Sequence, residues 1–149
     1  MYTQPENQGL DNKLFESIIN TNRDCNYHQL LDIKIKSVKP GIATLTMHIE
    51  DKHINPQNIV HGGATYSLAD TAIGVATRSK NRVVSTLENS IKYLHSVKLG
   101  DTLTVTAKIV SFGNKIIVAQ AEIVNQEDSP IAIITGTYYI RRKMLEGLE

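Results

Sequence analysis

The sequence predicts an α+β fold in which a six-stranded antiparallel sheet wraps around one long helix. Three observations carry that prediction. A helical segment at about residues 62–79 is apolar on nearly every side, and a helix apolar all round is a buried one. Six other segments show the two-residue alternation of strands, four of them in succession after residue 82 with only short turns between them. A helix that needs cover on most of its circumference forces such a sheet to curl.

The elements follow in order. Met1 to Leu10 is polar and lacks the apolar core of a signal peptide. Leu10, Leu14, Phe15, Ile18 and Ile19 mark one face of an N-terminal helix, which Thr21, Asn22 and Asp24 end. A short further helical turn is read between Asp24 and Leu31. From Leu31 the period changes to two, with Leu31, Ile33 and Ile35 alternating against Asp32, Lys34 and Lys36. Pro40-Gly41 supplies a turn, and Ala43, Leu45, Met47 and Ile49 line one face of the next strand. Lys52 to Val60 reads as a loop, and His61-Gly62-Gly63 opens the central helix, in which Ala69, Ala72, Gly74 and Ala76 let other backbone come close. Strands are then expected at Val83–His95, Thr102–Phe112, Ile116–Asn125 and Ile131–Arg142. Leu99-Gly100-Asp101, Gly113-Asn114-Lys115 and Glu127-Asp128-Ser129-Pro130 provide turn chemistry at hairpin spacing. The tail after Arg142 reads as frayed.

The 149 residues are read as one domain, 1–149, with its core at about 30–142. A hydrophobic share of 41% and a charged share of 21% exclude a disordered chain. Sixteen basic against fifteen acidic residues leave a charge of +1, without the basic excess of a nucleic-acid binder. A single cysteine, Cys25, excludes an intramolecular disulfide and Cys-pair metal cages, and reads as a surface or structural residue. No run approaches the roughly 20 apolar residues of a membrane helix. The expectation is a cytoplasmic protein with neither nucleic acid nor membrane as partner. The nucleophile elbow Gly-x-Ser-x-Gly, the phosphate loop and Gly-x-Gly-x-x-Gly are all missing.

Two features stand out chemically. Asp70 interrupts the most apolar helix of the chain, where aspartate competes for backbone groups and a buried carboxylate is costly without partners. Either it sits solvated on an open edge of the helix, or it belongs to a functional site. Gly62 and Gly63 leave the first N–H groups of that helix unobstructed, either as a flexible loop exit or as a place for an oxygen that gains negative charge. Eight residues, about 12 Å of helical rise, separate Gly62 from Asp70, so the two cannot act on one carbonyl within a single chain. In a two-fold dimer with antiparallel helices, each Gly62 faces the other chain's Asp70, giving two sites.

The run Asn55-Pro-Gln-Asn-Ile-Val-His61-Gly62-Gly63, followed by Leu68-Ala69-Asp70, resembles the signature of hot-dog-fold acyl-CoA thioesterases of the phenylacetate-pathway (PaaI-like) group. Thr86, Tyr93 and Leu99-Gly100-Asp101 resemble that family's next strand and turn, and the similarity spans about Leu30 to Arg142. The chain departs from the pattern at Asn58, where many relatives carry glycine. The resemblance implies the hot-dog fold and hydrolysis of an acyl-CoA to free acid and coenzyme A. Asp70 matches the catalytic carboxylate, as general base or nucleophile, and Gly62 the backbone N–H that polarises the carbonyl. Asn55 matches a side chain that places the thioester or water, and Thr86 a hydroxyl that orients water. His61 and Gly63 match the substrate-contacting end of the motif, whereas His53 reads as a loop histidine without a role. No metal or cofactor is implied, coenzyme A entering only as part of the substrate.

The implied assembly is a homodimer, paired further into a homotetramer. Coenzyme A phosphates call for basic residues at the entrance, for which Arg78, Lys80 and Arg82 after the helix and Arg141, Arg142 and Lys143 after the last strand are candidates. Tyr66 and Leu68 are candidates for the acyl pocket, with a core role favoured for Leu68. Two other readings are a hot-dog hydratase or dehydratase, whose His-Phe-Pro-Gly loop this chain lacks, and a non-catalytic acyl-CoA-binding protein.

Overall fold

The computed structural model describes residues 3–149. Its elements are β1 (Glu6–Asn7), α1 (Asn12–Asp24), α2 (Asn26–Leu31), β2 (Lys34–Lys39), β3 (Ile42–His48), a 3-10 turn (Asp51–His53), α3 (Gly62–Ser79), β4 (Arg82–Tyr93), β5 (Thr102–Phe112), β6 (Ile116–Val124) and β7 (Pro130–Lys143). The strands form one sheet in the order β1-β2-β3-β5-β6-β7-β4. α3 packs in its concavity against β2, β3, β4, β5, β6 and β7, the arrangement named for a filling wrapped in its bun.

The sheet has seven strands where six were expected. The extra one, β1, is two residues long and pairs parallel with β2 through Glu6↔Ser37 and Asn7↔Val38. Two residues carry no readable periodicity. β2 also starts at Lys34 rather than Leu31. Leu31 ends α2, and Asp32 takes a left-handed φ of 59° while its N–H bonds to the Gln29 and His28 carbonyls, a helix-closing geometry. The tail after Arg142 is tied down rather than frayed. Asn81, itself left-handed and buried, donates from Nδ2 to the Leu145 and Leu148 carbonyls and accepts from Leu145 N–H. Met144, Leu145 and Leu148 pack against the core.

The core is aliphatic, built from Leu45, Met47, Ile49, Leu68, Ile73, Leu103 and Ile123, with Tyr138 its largest member. α1 closes one end by burying Leu14 and Ile18. Its first turn is capped by Asp11, whose carboxylate accepts from Lys13 N–H at 2.9 Å and Leu14 N–H at 3.2 Å. Asp11→Ala is expected to lower unfolding stability by about 1 kcal/mol, read as a shifted urea midpoint at unchanged slope. Among the described residues no helix is long and apolar enough to cross a membrane.

α3 decides where chemistry is possible. Most of its residues are buried, and apart from Gly63 in the first turn the openings fall at Gly62, Tyr66, Asp70, Gly74 and Arg78. These lie every fourth residue, a single row that drifts by about 40° per step around the helix. The sheet, with α1 and α2, covers everything else. Asp70 therefore stands on the open edge of the helix, neither sunk in the core nor freely solvated.

Candidate active site

The Asp70 carboxylate is held through one oxygen. Its Oδ1 accepts from Thr86 Oγ1 at 3.2 Å and from Asn89 Nδ2 at 2.8 Å. Asn89 Nδ2 also donates to the Tyr66 hydroxyl at 2.9 Å. The Tyr138 hydroxyl donates to Asn89 Oδ1. Burial, and then the Asp70 charge, push the Tyr138 phenol well above its ordinary value, so it stays a neutral donor. That donor fixes the Asn89 amide with its NH2 toward Asp70. Among the described residues none donates to Asp70 Oδ2, and Asp70 lines a cavity of about 150 Å³ with His28, Gly74, Arg78, Thr86 and Tyr138. Burial, and next the Arg78 charge, push the His28 pKa down.

Two turns away, the start of α3 makes a different site. His61 caps the helix, its Nδ1 accepting from Gly63 N–H at 2.8 Å. Among the described residues the Gly62 N–H has no hydrogen-bond acceptor. The Tyr93 hydroxyl donates to the Gly62 carbonyl at 2.8 Å, and a Cβ on Gly62 would lie 3.1 Å from that phenol ring, so only glycine fits without movement. Asn55 Oδ1 is used in its own turn, accepting from Gln57 and Ile59 N–H. Its Nδ2 is not so used, and Asn55 shares with Gly62, Thr65 and Tyr93 a cavity of about 310 Å³. Asn58, the departure from the family pattern, takes a φ of 62° that glycine would adopt freely and asparagine tolerates.

The structure thus brings the predicted residues together in two groups, Asp70 with Thr86 and Gly62 with Asn55, on separate cavities of one chain. His61 and Gly63 are occupied with each other at the helix cap. His53 is a strut: its Nδ1 accepts from Glu50 N–H at 2.9 Å and its Nε2 donates to the Leu31 carbonyl at 2.7 Å. Arg78 lines the Asp70 cavity, folded back along the row so that a Cβ on Gly74 would lie 3.3 Å from its Nη1. Arg82 lies outside both cavities, its guanidinium 5.4 Å from the centre of the Phe112 ring and bonded to the Lys80 and Asn81 carbonyls. The pairing of Arg82 with Lys143 and of Val83 with Arg142 gathers the basic candidates at one end of the sheet. Sequence reasoning missed Asn89, Tyr138 and His28. The one available signal was an asparagine in mid-strand, a residue strands disfavour.

Comparison with known proteins identifies the family. The family model described as Thioesterase superfamily matches residues 57–132. A putative esterase of Archaeoglobus fulgidus is 36% identical over 74% of this chain and 72% of its own. Acyl-coenzyme A thioesterase PaaI of Escherichia coli is 36% identical over 71% of this chain and 76% of its own. The solved structure of that PaaI protein, from the phenylacetic acid degradation operon, superposes with a TM-score of 0.85 at 30% identity, covering 91% of this chain and 98% of that one. A Streptococcus mutans protein solved with acetyl-CoA bound superposes at 0.74 and 31% identity, covering 76% and 91%. With a helix-borne carboxylate and an open helix start set in this fold, the chain belongs to the thioesterase superfamily, as a PaaI-like hot-dog hydrolase of thioester bonds.

Proposed function

We propose that the substrate is an acyl-CoA and that each active site is shared between two copies of the chain, Asp70 from one and Gly62 with Asn55 from the other. The observation that carries this reading is the placement of the two groups on separate cavities two helical turns apart. Two further features support it. β4 is an edge strand of twelve residues, largely exposed and carrying Leu87 and Tyr93 on its surface. An open edge of that length calls for a partner. The open row of α3 borders the same edge, so pairing two β4 strands about a two-fold axis would bring the two rows face to face.

In the assembled site the thioester carbonyl oxygen receives the Gly62 N–H and the Asn55 NH2, the first at the positive end of α3. One such donor lowers the barrier by about 3 kcal/mol. Asp70 Oδ2 either takes a proton from a water whose oxygen bonds to the carbonyl carbon, or itself bonds to that carbon to give an acyl–aspartyl anhydride that water then hydrolyses. The carbon–sulfur bond breaks, the acyl group leaves as the free acid, and the sulfur takes a proton to become the coenzyme A thiol. The step calls for no cofactor. Thr86 and Asn89 hold the carboxylate in place, and Arg82, Arg141 and Lys143 are the proposed contacts for phosphates. Dimers are proposed to pair into a tetramer, and the setting is the cytoplasm.

Complementation tests the shared site. Asp70→Asn and Asn55→Ala are each expected to release little thiol from acyl-CoA when pure. Dissociated, mixed and reassembled, they are expected to regain about a quarter of wild-type activity, because half the dimers are then mixed and each holds one intact site. If the mixture gains nothing over its components, or if a dilute monomer is active, the site is not shared.

A further inference from the structure

Arg78 has chemistry that thioester cleavage does not use. It is half-buried on the open row of α3, and burial works against its charge. Yet among the described residues no ion pair involves it, and no hydrogen bond of its guanidinium to the protein is present. Its guanidinium lies over Gly74, one turn from Asp70, and lines the same cavity. Glycine is a poor residue for a helix interior, and here its missing side chain is what leaves the lane between Asp70 and Arg78 open. Two more features mark the far end of that lane as polar. The buried His28 Nδ1 lacks a hydrogen-bond partner, and Arg142 adds a second positive charge near Arg78. The cavity, about 150 Å³, is small beside the several hundred cubic ångströms typical of pockets for larger ligands.

We propose that the Asp70–Gly74–Arg78 lane is a subsite for an acyl tail ending in a carboxylate, so that the preferred substrates are coenzyme A monothioesters of short dicarboxylic acids. This deepens the thioesterase reading and rests on it. A carboxylate supplies the paired acceptors that a planar guanidinium lacks here. Gly74 stands about 6 Å along the helix from Asp70, which a tail of roughly four carbons spans. A phosphate of coenzyme A suits Arg78 poorly, since the long pantetheine arm holds the phosphates far from the reacting carbonyl beside Asp70. His28, which lines the same cavity and whose Nδ1 lacks a partner, makes that end of the lane polar.

The test compares glutaryl-CoA with pentanoyl-CoA, equal in carbon number and different in the terminal carboxylate. Wild-type kcat/KM is expected to favour glutaryl-CoA by at least about tenfold. Arg78→Met is expected to abolish that preference. Gly74→Ala, which favours the helix while pressing on the guanidinium, is expected to weaken it even if Arg78→Met folds poorly. Equal or faster hydrolysis of pentanoyl-CoA by the wild type overturns the proposal while leaving the thioesterase reading intact, and so does a preference that survives Arg78→Met. If no acyl-CoA releases thiol, the thioesterase reading itself fails. Calorimetric binding to Asp70→Asn protein then decides the subsite. Tighter binding of glutaryl-CoA than of pentanoyl-CoA, lost when Arg78→Met is added, upholds it, and equal binding refutes it.

Discussion

Asp70→Asn is expected to lower kcat for thioester hydrolysis by about three orders of magnitude, the range over which a positioned proton acceptor contributes. Asparagine keeps the volume of the side chain, and its Oδ1 still accepts from Thr86 and Asn89 as the carboxylate does. What it loses is the ability of Oδ2 to take a proton or to attack. The loss should therefore appear in kcat, with KM changed little and thermal melting near that of the wild type. Release of free thiol from an acyl-CoA, followed with a chromogenic thiol reagent, gives the rate. An Asp70→Asn enzyme as fast as the wild type would remove Asp70 from the mechanism.

Gly136→Ala is expected to cost both activity and stability, although Gly136 touches neither substrate nor Asp70. It stands opposite Asn89 in the ladder of β4 and β7. A Cβ there would overlap the Asn89 Oδ1, and would lie 2.7 Å from the Tyr138 hydroxyl and 2.9 Å from the Glu88 carbonyl. Asn89 must then swing aside, breaking the chain from Tyr138 through Asn89 to Asp70. A fall in kcat of about tenfold to a hundredfold is expected, together with about 1–3 kcal/mol of overpacking. A double-mutant cycle separates the two effects. If the damage runs through the amide, Asn89→Ala adds little further loss of kcat to Gly136→Ala. Full additivity of the two would show that Gly136 acts elsewhere.

The central helix was legible in the sequence because its signals are local. Small and aliphatic residues fill every face except one row, and Asp70 breaks that pattern within a few residues of its cause. The hairpins at Pro40-Gly41, 113–115 and 127–130 were legible for the same reason, each turn residue lying beside the strands it joins. The expected hairpin at Leu99-Gly100-Asp101 does not form, because β5 pairs with β3 and β6 while β4 crosses to the far edge beside β7. Asn89 and Tyr138 were not, because they meet 49 residues apart through a sheet register that no short window encodes. Strict alternation would also have misled. Thr86 and Asn89 are three apart, which places them on opposite faces of a regular strand, yet both reach Asp70. The register shift between Thr86 and Glu88 changes the facing and makes this possible. The two-residue β1 and the anchored tail escaped because their stability comes from partners distant in sequence.

The row of Gly62, Tyr66, Asp70, Gly74 and Arg78 also has a consequence for how such a protein can change. Everything behind the row is tightly packed aliphatic core, where losing one methylene is felt. On the row itself Gly74 and Arg78 bury little of the core, whereas Tyr66 packs against it and accepts from Asn89. Positions 74 and 78 can therefore accept new side chains with little loss of folding stability, while 62, 66 and 70 stay fixed by the reaction and the packing. Divergence in what the enzyme cleaves is channelled into two addresses on one helix, and a library confined to them would explore substrate range without sacrificing the fold.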